Sequence, residues 1–146
     1  MLKNLDPLLT PDLLWVLAAM GHGDEVAVVD ALHPAERVAR STVFGRPVRL
    51  PGATLEAALR AVLSVMPLDL ALPDPARRMR VIGAAHEIPP VQALAQAEID
   101  AAAGRSVPLA GLEREAFYAA AGAAFAVVQV GDARAYGCIL LRKGVV

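Results

Sequence analysis

Cysteine, aromatic residues and net charge are all scarce in this chain of 146 residues. The single cysteine, Cys138, excludes a disulfide within the chain and a zinc centre built on several thiolates, and it agrees with a reducing compartment. Basic residues number 14 and acidic residues 15, so the net charge of −1 indicates no basic surface for nucleic acid or anionic lipid. Polyanions are therefore not expected as partners.

Long hydrophobic runs and targeting signals are also missing. The longest uncharged run covers residues 116–131 and contains two glycines, which is short of the roughly 18–20 apolar residues needed to span a bilayer. The first residues place Lys3 before Asn4, Asp6 and Pro7, without the apolar segment of a secretory signal. We therefore predict a cytoplasmic protein with no membrane partner.

Several familiar site motifs are absent. The sequence has no GxGxxG opening a helix, no GxxxxGK[ST], no HExxH and no GxSxG, so nucleotide binding, zinc proteolysis and serine hydrolysis lose their usual support. The pair His22-x-Asp24 with distant histidines offers only an unspecific spacing for metal ligands. We predict no metal and no cofactor.

What the sequence does contain is alanine, valine and leucine, which dominate an apolar content of 56%. A chain of this length fits one domain, residues 1–146, and can bury a core of its own. Because about 45–50% is the usual apolar content, the excess favours close packing of helices on a sheet or additional burial between subunits. We expect an oligomer.

Helical and strand patterns alternate along the chain. Thr10-Pro11 begins a helix that ends at Gly21, Thr54 caps a second that ends before Pro67, and Pro89-Pro90 opens a third. Another helix is predicted at 112–121, and strands at 25–30, 41–44, 77–84, 107–109, 124–130 and 137–141. This order predicts a single-domain, three-layer α/β/α fold with a mixed sheet, in which the last two strands form a C-terminal β-hairpin.

The stretch Met20-Gly21-His22-Gly23-Asp24-Glu25 has the features of a site. His22 lies between two glycines, which allow a ligand close to the backbone, and its ordinary pKa of about 6.5 suits a general acid or base. Asp30 follows the next strand, and ligands in open α/β sheets collect outside the carboxyl ends of strands. The alternative is structural: a helix end at Gly21, a surface histidine and a turn-forming aspartate.

Two groups near the C-terminus suit a polyhydroxylated ligand. Arg114 and Tyr118 lie one helical turn apart, so a guanidinium and a phenol point the same way. In Tyr136-Gly137-Cys138 the glycine lets backbone groups face a ligand. The alternatives are a solvated arginine above a half-buried tyrosine, and an ordinary strand with a glycine bulge. The lone histidines His33 and His86 are expected on the surface.

Two separated segments resemble the fucose mutarotase/ribose pyranase family, and its fucose branch most closely. One is residues 2–31, which include Leu17-Ala18-Ala19-Met20-Gly21-His22-Gly23-Asp24-Glu25; the other comprises residues 114–118, 124–132 and 136–145. The resemblance implies enzymes that interconvert anomers or ring forms of a free sugar and assemble as rings, typically decamers, with sites near subunit contacts. It further implies that His22 is the proton donor, that Asp30 and Arg114 bind sugar, and that Tyr136-Gly137-Cys138 holds sugar hydroxyls.

The sequence departs from that family at Cys138, where asparagine is usual. A thiol is a weak hydrogen-bond partner, so one sugar contact is expected to change. Opening a hemiacetal needs a proton on the ring oxygen and loss of one from the anomeric hydroxyl, so acid–base help alone is sufficient. We predict a mutarotase for a free monosaccharide, L-fucose first. The alternatives are pyranose/furanose exchange and a non-catalytic sugar-binding or regulatory subunit.

Overall fold

Eleven helices and strands build the fold, and the computed structural model describes residues 1–146. The helices are α1 (Pro11–Ala19), α2 (Ala35–Ala39), α3 (Leu55–Leu63), α4 (Pro90–Ala103) and α5 (Arg114–Gly122). The strands are β1 (Glu25–Val29), β2 (Val48–Leu50), β3 (Ala76–Met79), β4 (Ala110–Leu112), β5 (Ala126–Val130) and β6 (Ile139–Arg142). None of the helices is long and apolar enough to cross a membrane.

The six strands form one mixed sheet in the order β2-β5-β1-β6-β3-β4. Strands β2, β5 and β1 are parallel neighbours, β3 and β4 are parallel to each other, and β6 runs antiparallel to both β1 and β3. Five strands therefore end at the same side of the sheet, which we call the carboxyl edge, and β6 begins there. The opposite side, where β1 begins, is the amino edge.

Helices cover both faces of this sheet, which confirms the predicted three-layer α/β/α fold. On one face, Val26 and Val28 of β1 pack in a core of 27 residues with α1, α3 and α4. On the other face, Ala27 and Val29 pack in a core of 12 residues with α2 and α5. Successive residues of a strand point to opposite faces, so a continuous apolar run is what a strand covered on both sides requires.

The predicted helix starts are present as hydrogen-bonded caps. The hydroxyl of Thr10 accepts from the amide of Leu13 at 3.3 Å, and that of Thr54 accepts from the amide of Ala57 at 3.3 Å. At the other end of α1, the ammonium of Lys143 donates to the carbonyls of Leu17 and Met20. This lysine satisfies carbonyls that a helix end leaves without partners.

The last two strands differ in detail from the predicted C-terminal hairpin. They are consecutive and run antiparallel in one sheet, but β1 lies between them, so β5 and β6 each pair with β1. The connection explains this arrangement. Residues 131–138 separate the two strands, and about two to five residues are usual for a loop that joins hydrogen-bonded neighbours.

Local boundaries account for the remaining differences. Residues 41–44 form turns and bends instead of a strand, and the strand expected at 107–109 is β4, at 110–112. Strand β3 ends at Met79, well before residue 84, and the short helix α2 was not predicted. Helix α2 has only five residues, too few for a 3.6-residue period to be visible in the sequence.

Candidate functional site

A cavity of about 190 Å³ opens at the carboxyl edge. Four segments converge there: the loops after β1 and β3, the start of α5, and the residues before β6. Each of them follows a strand that ends at this edge. The cavity is lined by Asp30, Leu32, His33, Met79, Ile82, Arg114, Tyr118, Ala135, Tyr136 and Cys138. Five of the residues predicted to bind substrate are therefore together in one chain: Asp30, Arg114, Tyr118, Tyr136 and Cys138.

Asp30 joins the two loops that form the floor of this cavity. One carboxylate oxygen, Oδ1, accepts from the amides of Leu32 at 2.9 Å and His33 at 3.0 Å. The other, Oδ2, accepts from the amide of Gly137 at 3.0 Å and lies 3.5 Å from the sulfur of Cys138. Burial raises the pKa of Asp30, and the four donors act against that rise. Both predicted roles of this aspartate, turn former and site residue, are thus compatible with its position.

The thiol of Cys138 is buried beside two acceptors. Its sulfur lies 3.5 Å from Oδ2 of Asp30 and 3.7 Å from Nδ1 of His33. Burial raises the pKa of this thiol well above its ordinary value, and the charge of Asp30 raises it further. Because the thiolate is the reactive form of cysteine, Cys138 is suited to donate a hydrogen bond and is poorly suited to act as a nucleophile.

His33 was predicted on the surface, and that prediction is wrong. The residue is only 6% exposed, because its ring packs edge-on against Phe117 and Tyr118 at centroid distances of 6.0 and 5.2 Å. Its Nε2 is buried with no hydrogen-bond partner. Burial, with a smaller contribution from the charge of Arg37, lowers the pKa of His33 to about 4. The imidazole is neutral at pH 7.

The lowered pKa of His33 predicts acid sensitivity. Unfolding restores an ordinary pKa of about 6.5, so the unfolded chain takes up a proton between pH 6.5 and about 4 that the folded chain excludes. The free energy of unfolding therefore falls by up to about 3 kcal/mol as pH drops through this window. Urea unfolding at fixed protein concentration from pH 7 to pH 4 should show this loss, and His33→Phe should lack it.

The raised pKa of Asp30 acts in the opposite sense. Its buried carboxylate is less costly once protonated, so its contribution becomes more favourable as pH falls towards its ordinary pKa. Both proteins retain Asp30, so the difference between wild type and His33→Phe isolates the imidazole. Parallel stability curves for the two proteins would contradict the predicted effect.

Arg114 and Tyr118 form the polar rim of the cavity. Arg114 is the first residue of α5 and has a half-exposed guanidinium whose only ion pair is a long contact of 3.4 Å with Glu115. Its other donors are available to a ligand. Tyr118, one turn along the helix, packs against His33, and the guanidinium of Arg37 lies 6.0 Å from its ring. This placement fits the prediction that both side chains face one ligand.

Tyr136 adopts a left-handed backbone conformation, with a φ of 65°, unusual for a residue with a side chain. Its hydroxyl accepts from the amide of Ile82 at 3.3 Å, and its carbonyl accepts from Nε2 of Gln92 at 2.9 Å. Gln92 is fully buried and also binds the carbonyl of Met79 and the guanidinium of Arg78. The sequence analysis did not identify Gln92, since a lone glutamine within a helix carries no pattern.

His22 lies at the amino edge, away from this cavity. It precedes β1, whereas Asp30 follows it, and a five-residue strand separates its ends by about 17 Å. Its Nε2 is 3.1 Å from Oδ2 of the buried Asp69, and its side chain is 58% exposed. Asp30 therefore does not contact His22 within one chain, because a strand cannot bring both of its ends to one site. Asp69 holds the imidazole instead.

The fold and the cavity define a small α/β protein with a cluster of hydrogen-bonding side chains at the carboxyl edge of a mixed sheet. The chain belongs to the RbsD / FucU transport protein family, whose model matches residues 3–146. The family predicted from the two separated motifs is thereby confirmed.

Relatives are similar over almost the whole chain. An L-fucose mutarotase of Haemophilus influenzae is 34% identical over 145 residues, which cover 99% of this chain and 97% of that protein. The crystal structure of protein Atu2016 is 46% identical, with a TM-score of 0.97 over 100% of this chain and 97% of the other. The fucose mutarotase of Streptococcus pneumoniae, solved in complex with L-fucose, is 32% identical, with a TM-score of 0.88 and 99% of each chain covered.

Proposed function

We propose that this protein is a mutarotase that interconverts the anomers of a free monosaccharide, with L-fucose as the first candidate. The observation that carries the proposal is the cavity at the carboxyl edge, where Arg114, Tyr118, Tyr136 and Asp30 offer donors and acceptors beside an apolar wall. The hydroxyls of a sugar can bind the polar groups, and its C–H faces can pack against the apolar wall. Relatives named fucose mutarotase, which share a third of their residues with this chain over its length, support the same activity.

The chemistry requires only proton transfer and positioning. A general acid protonates the ring oxygen as the anomeric hydroxyl loses its proton, the open aldehyde rotates about one single bond, and the reverse steps close the ring. No electron transfer or covalent intermediate is involved, and positioned acid–base groups typically accelerate such steps by about 10²–10⁴-fold. Arg114, Tyr118, Tyr136 and the backbone at Gly137 and Cys138 would hold the hydroxyls.

The proton donor of this proposal is His22, supplied to the cavity by a neighbouring copy of the chain. One chain cannot place His22 at its own carboxyl edge, and two of the groups that line the cavity are unsuited as proton donors: His33 is buried and neutral, and Cys138 holds its proton firmly. His22 is exposed and is held by Asp69 in a fixed orientation. Leu32 and Ile82, 64% and 55% exposed beside the cavity, give its mouth an apolar rim suited to a partner.

A closed ring of copies would repeat this contact, and the proposed assembly is a homodecamer acting in the cytoplasm. Support comes from the apolar groups left exposed on one chain, including Trp15, Leu32 and Ile82, because heterologous contacts that repeat around an axis close into rings. Sedimentation equilibrium tests the ring size. A monomer at micromolar concentration would contradict both the ring and the shared site.

The test of function is saturation transfer by NMR between the two anomeric protons of L-fucose, with and without catalytic amounts of protein. Ribose and galactose are measured in the same way. The expected result is faster exchange for at least one sugar. A second candidate, a non-catalytic sugar-binding subunit, is favoured by the position of His22 outside the single-chain cavity, and it predicts calorimetric binding without faster exchange.

A further inference from the structure

The cavity contains a buried imidazole that the proposed reaction does not use. His33 is more than nine-tenths buried, lines the cavity, and has one ring nitrogen without any partner. Its other ring nitrogen, Nδ1, faces the thiol of Cys138 at 3.7 Å. Any effect of His33 on ligand binding therefore acts through the thiol of Cys138.

The carboxylate of Asp30 has no free capacity before a ligand arrives. Its two oxygens offer about four lone-pair directions, and four donors occupy them: the amides of Leu32, His33 and Gly137, and the thiol. A sugar hydroxyl that donates to Asp30 must therefore replace one of these donors. The three amides are held in place by the backbone, whereas the thiol is the weakest donor and can rotate.

The thiol has a second side-chain acceptor within reach. Rotation about its Cβ–Sγ bond moves the hydrogen from Oδ2 of Asp30, at 3.5 Å from sulfur, to Nδ1 of His33, at 3.7 Å. The imidazole is neutral, so one ring nitrogen is an acceptor while the other, Nε2, can carry the ring proton. The hydrogen stays bonded to sulfur throughout, and only its acceptor changes.

We propose that His33 is a positioning residue that accepts the Cys138 thiol hydrogen when a sugar hydroxyl takes its place on Asp30. This inference rests on the proposed function and specifies how Asp30, whose acceptor positions are all occupied, binds a sugar hydroxyl. Asp30 touches the sugar directly, whereas His33 acts through the thiol. The thiol is a weak direct ligand, and His33 allows it to move aside so that Asp30 binds the sugar hydroxyl.

A double-mutant cycle read by calorimetry with L-fucose, or with whichever sugar of the panel binds, tests the coupling. His33→Phe keeps the aromatic packing but removes Nδ1, and its Kd and KM should rise by roughly three- to tenfold, the value of one hydrogen bond, while kcat changes little. Cys138→Ala frees Asp30 permanently and should bind as well as wild type or better. Adding His33→Phe to Cys138→Ala should then have no further effect, and His86→Phe, at an exposed loop position, serves as the control.

An additive cycle would assign His33 a purely structural role and overturn the inference, as would wild-type binding by His33→Phe. A second measurement does not depend on that variant folding. Nitrogen-15 NMR of the histidine rings, assigned with His22→Asn and His86→Phe, should show His33 with the proton on Nε2 when sugar is bound. A proton on Nδ1 in the bound state overturns the inference alone, whereas failure of every sugar to bind contradicts the proposed function as well.

Discussion

Replacing His22 by alanine should reduce the acceleration of anomer exchange by about 10²–10⁴-fold, the usual contribution of a positioned general acid. Sugar binding should change much less, because the groups that hold hydroxyls lie at the other edge of the sheet. Saturation transfer measures the exchange and calorimetry the binding. The alanine also removes the partner of the buried Asp69 carboxylate, so thermal unfolding must show that the variant is folded before an effect on exchange reports on chemistry.

Controls separate proton transfer from assembly. His86→Ala, at another exposed loop histidine, should retain wild-type exchange. Sedimentation of His22→Ala should match wild type, so that lost activity is not caused by lost assembly. Wild-type exchange by a folded His22→Ala protein would remove His22 from the mechanism and leave Asp30 as the remaining acid–base group of the cavity.

A site shared between two copies predicts that two inactive variants can restore activity when they assemble together, which a single-chain site does not predict. His22→Ala and Arg114→Ala proteins should each be inactive, because each damages every site in its own assembly. After the two are unfolded together and reassembled at equal amounts, random mixing leaves about one quarter of the contacts with both residues intact. Exchange should therefore recover to about a quarter of wild type, and a mixture that stays inactive would contradict donation of His22 by a neighbouring copy.

The helices and strands could be predicted from the sequence where local residue patterns agree with the burial that the fold imposes. The helices that begin after Thr10 and Thr54 were predicted from their capping residues. Strands β1 and β5 were predicted because burial on both faces of a sheet requires a continuous apolar run. The order of strands was not readable in the same way. Nothing local records that β1 is inserted between β5 and β6, since this depends on the path of an eight-residue connection.

The site was predictable in part for the same reason. Its place after a strand predicted Asp30 as a site residue, and the family resemblance added Arg114 and Tyr136. All three line one cavity. The short sequence spacing between His22 and Asp30 was misleading, because the seven residues between them include a whole strand, which holds the two side chains at opposite edges of the sheet. His33 and Gln92 were missed, since burial of a polar side chain depends on neighbours distant in sequence.

The largest expected effect on stability comes from Gln92→Leu. The amide of Gln92 binds three groups in the interior: the carbonyl of Met79 at 2.7 Å, the carbonyl of Tyr136 at 2.9 Å and Nη1 of Arg78 at 3.1 Å. Arg78 is itself buried without a carboxylate, and burial lowers its pKa. Leucine has nearly the same shape and no polar atoms. The free energy of unfolding should fall by about 3–5 kcal/mol, because a buried charge and two carbonyls lose a partner at once.

Thermal and urea unfolding at matched concentration measure this loss, which corresponds to roughly 10 °C in Tm for a domain of this size. Leu94→Gln, the reverse exchange at an exposed position of the same helix, is the matched control and should stay within about 0.5 kcal/mol of wild type. The double variant Arg78→Met/Gln92→Leu should lose less than the sum of its single changes, because it removes the buried charge together with its acceptor. Additive losses would mean that the guanidinium does not depend on Gln92.

Sugar affinity should fall together with this stability. The left-handed backbone of Tyr136 is unfavourable for a residue with a side chain, and the bond from Gln92 to its carbonyl is one of the contacts that hold it. Without that bond the turn before β6 can relax, which would withdraw Tyr136 from the cavity and weaken the bond from the Gly137 amide to Asp30. A raised KM at low temperature, where Gln92→Leu remains folded, would place the glutamine in the support of the site, whereas an unchanged KM would restrict its role to stability.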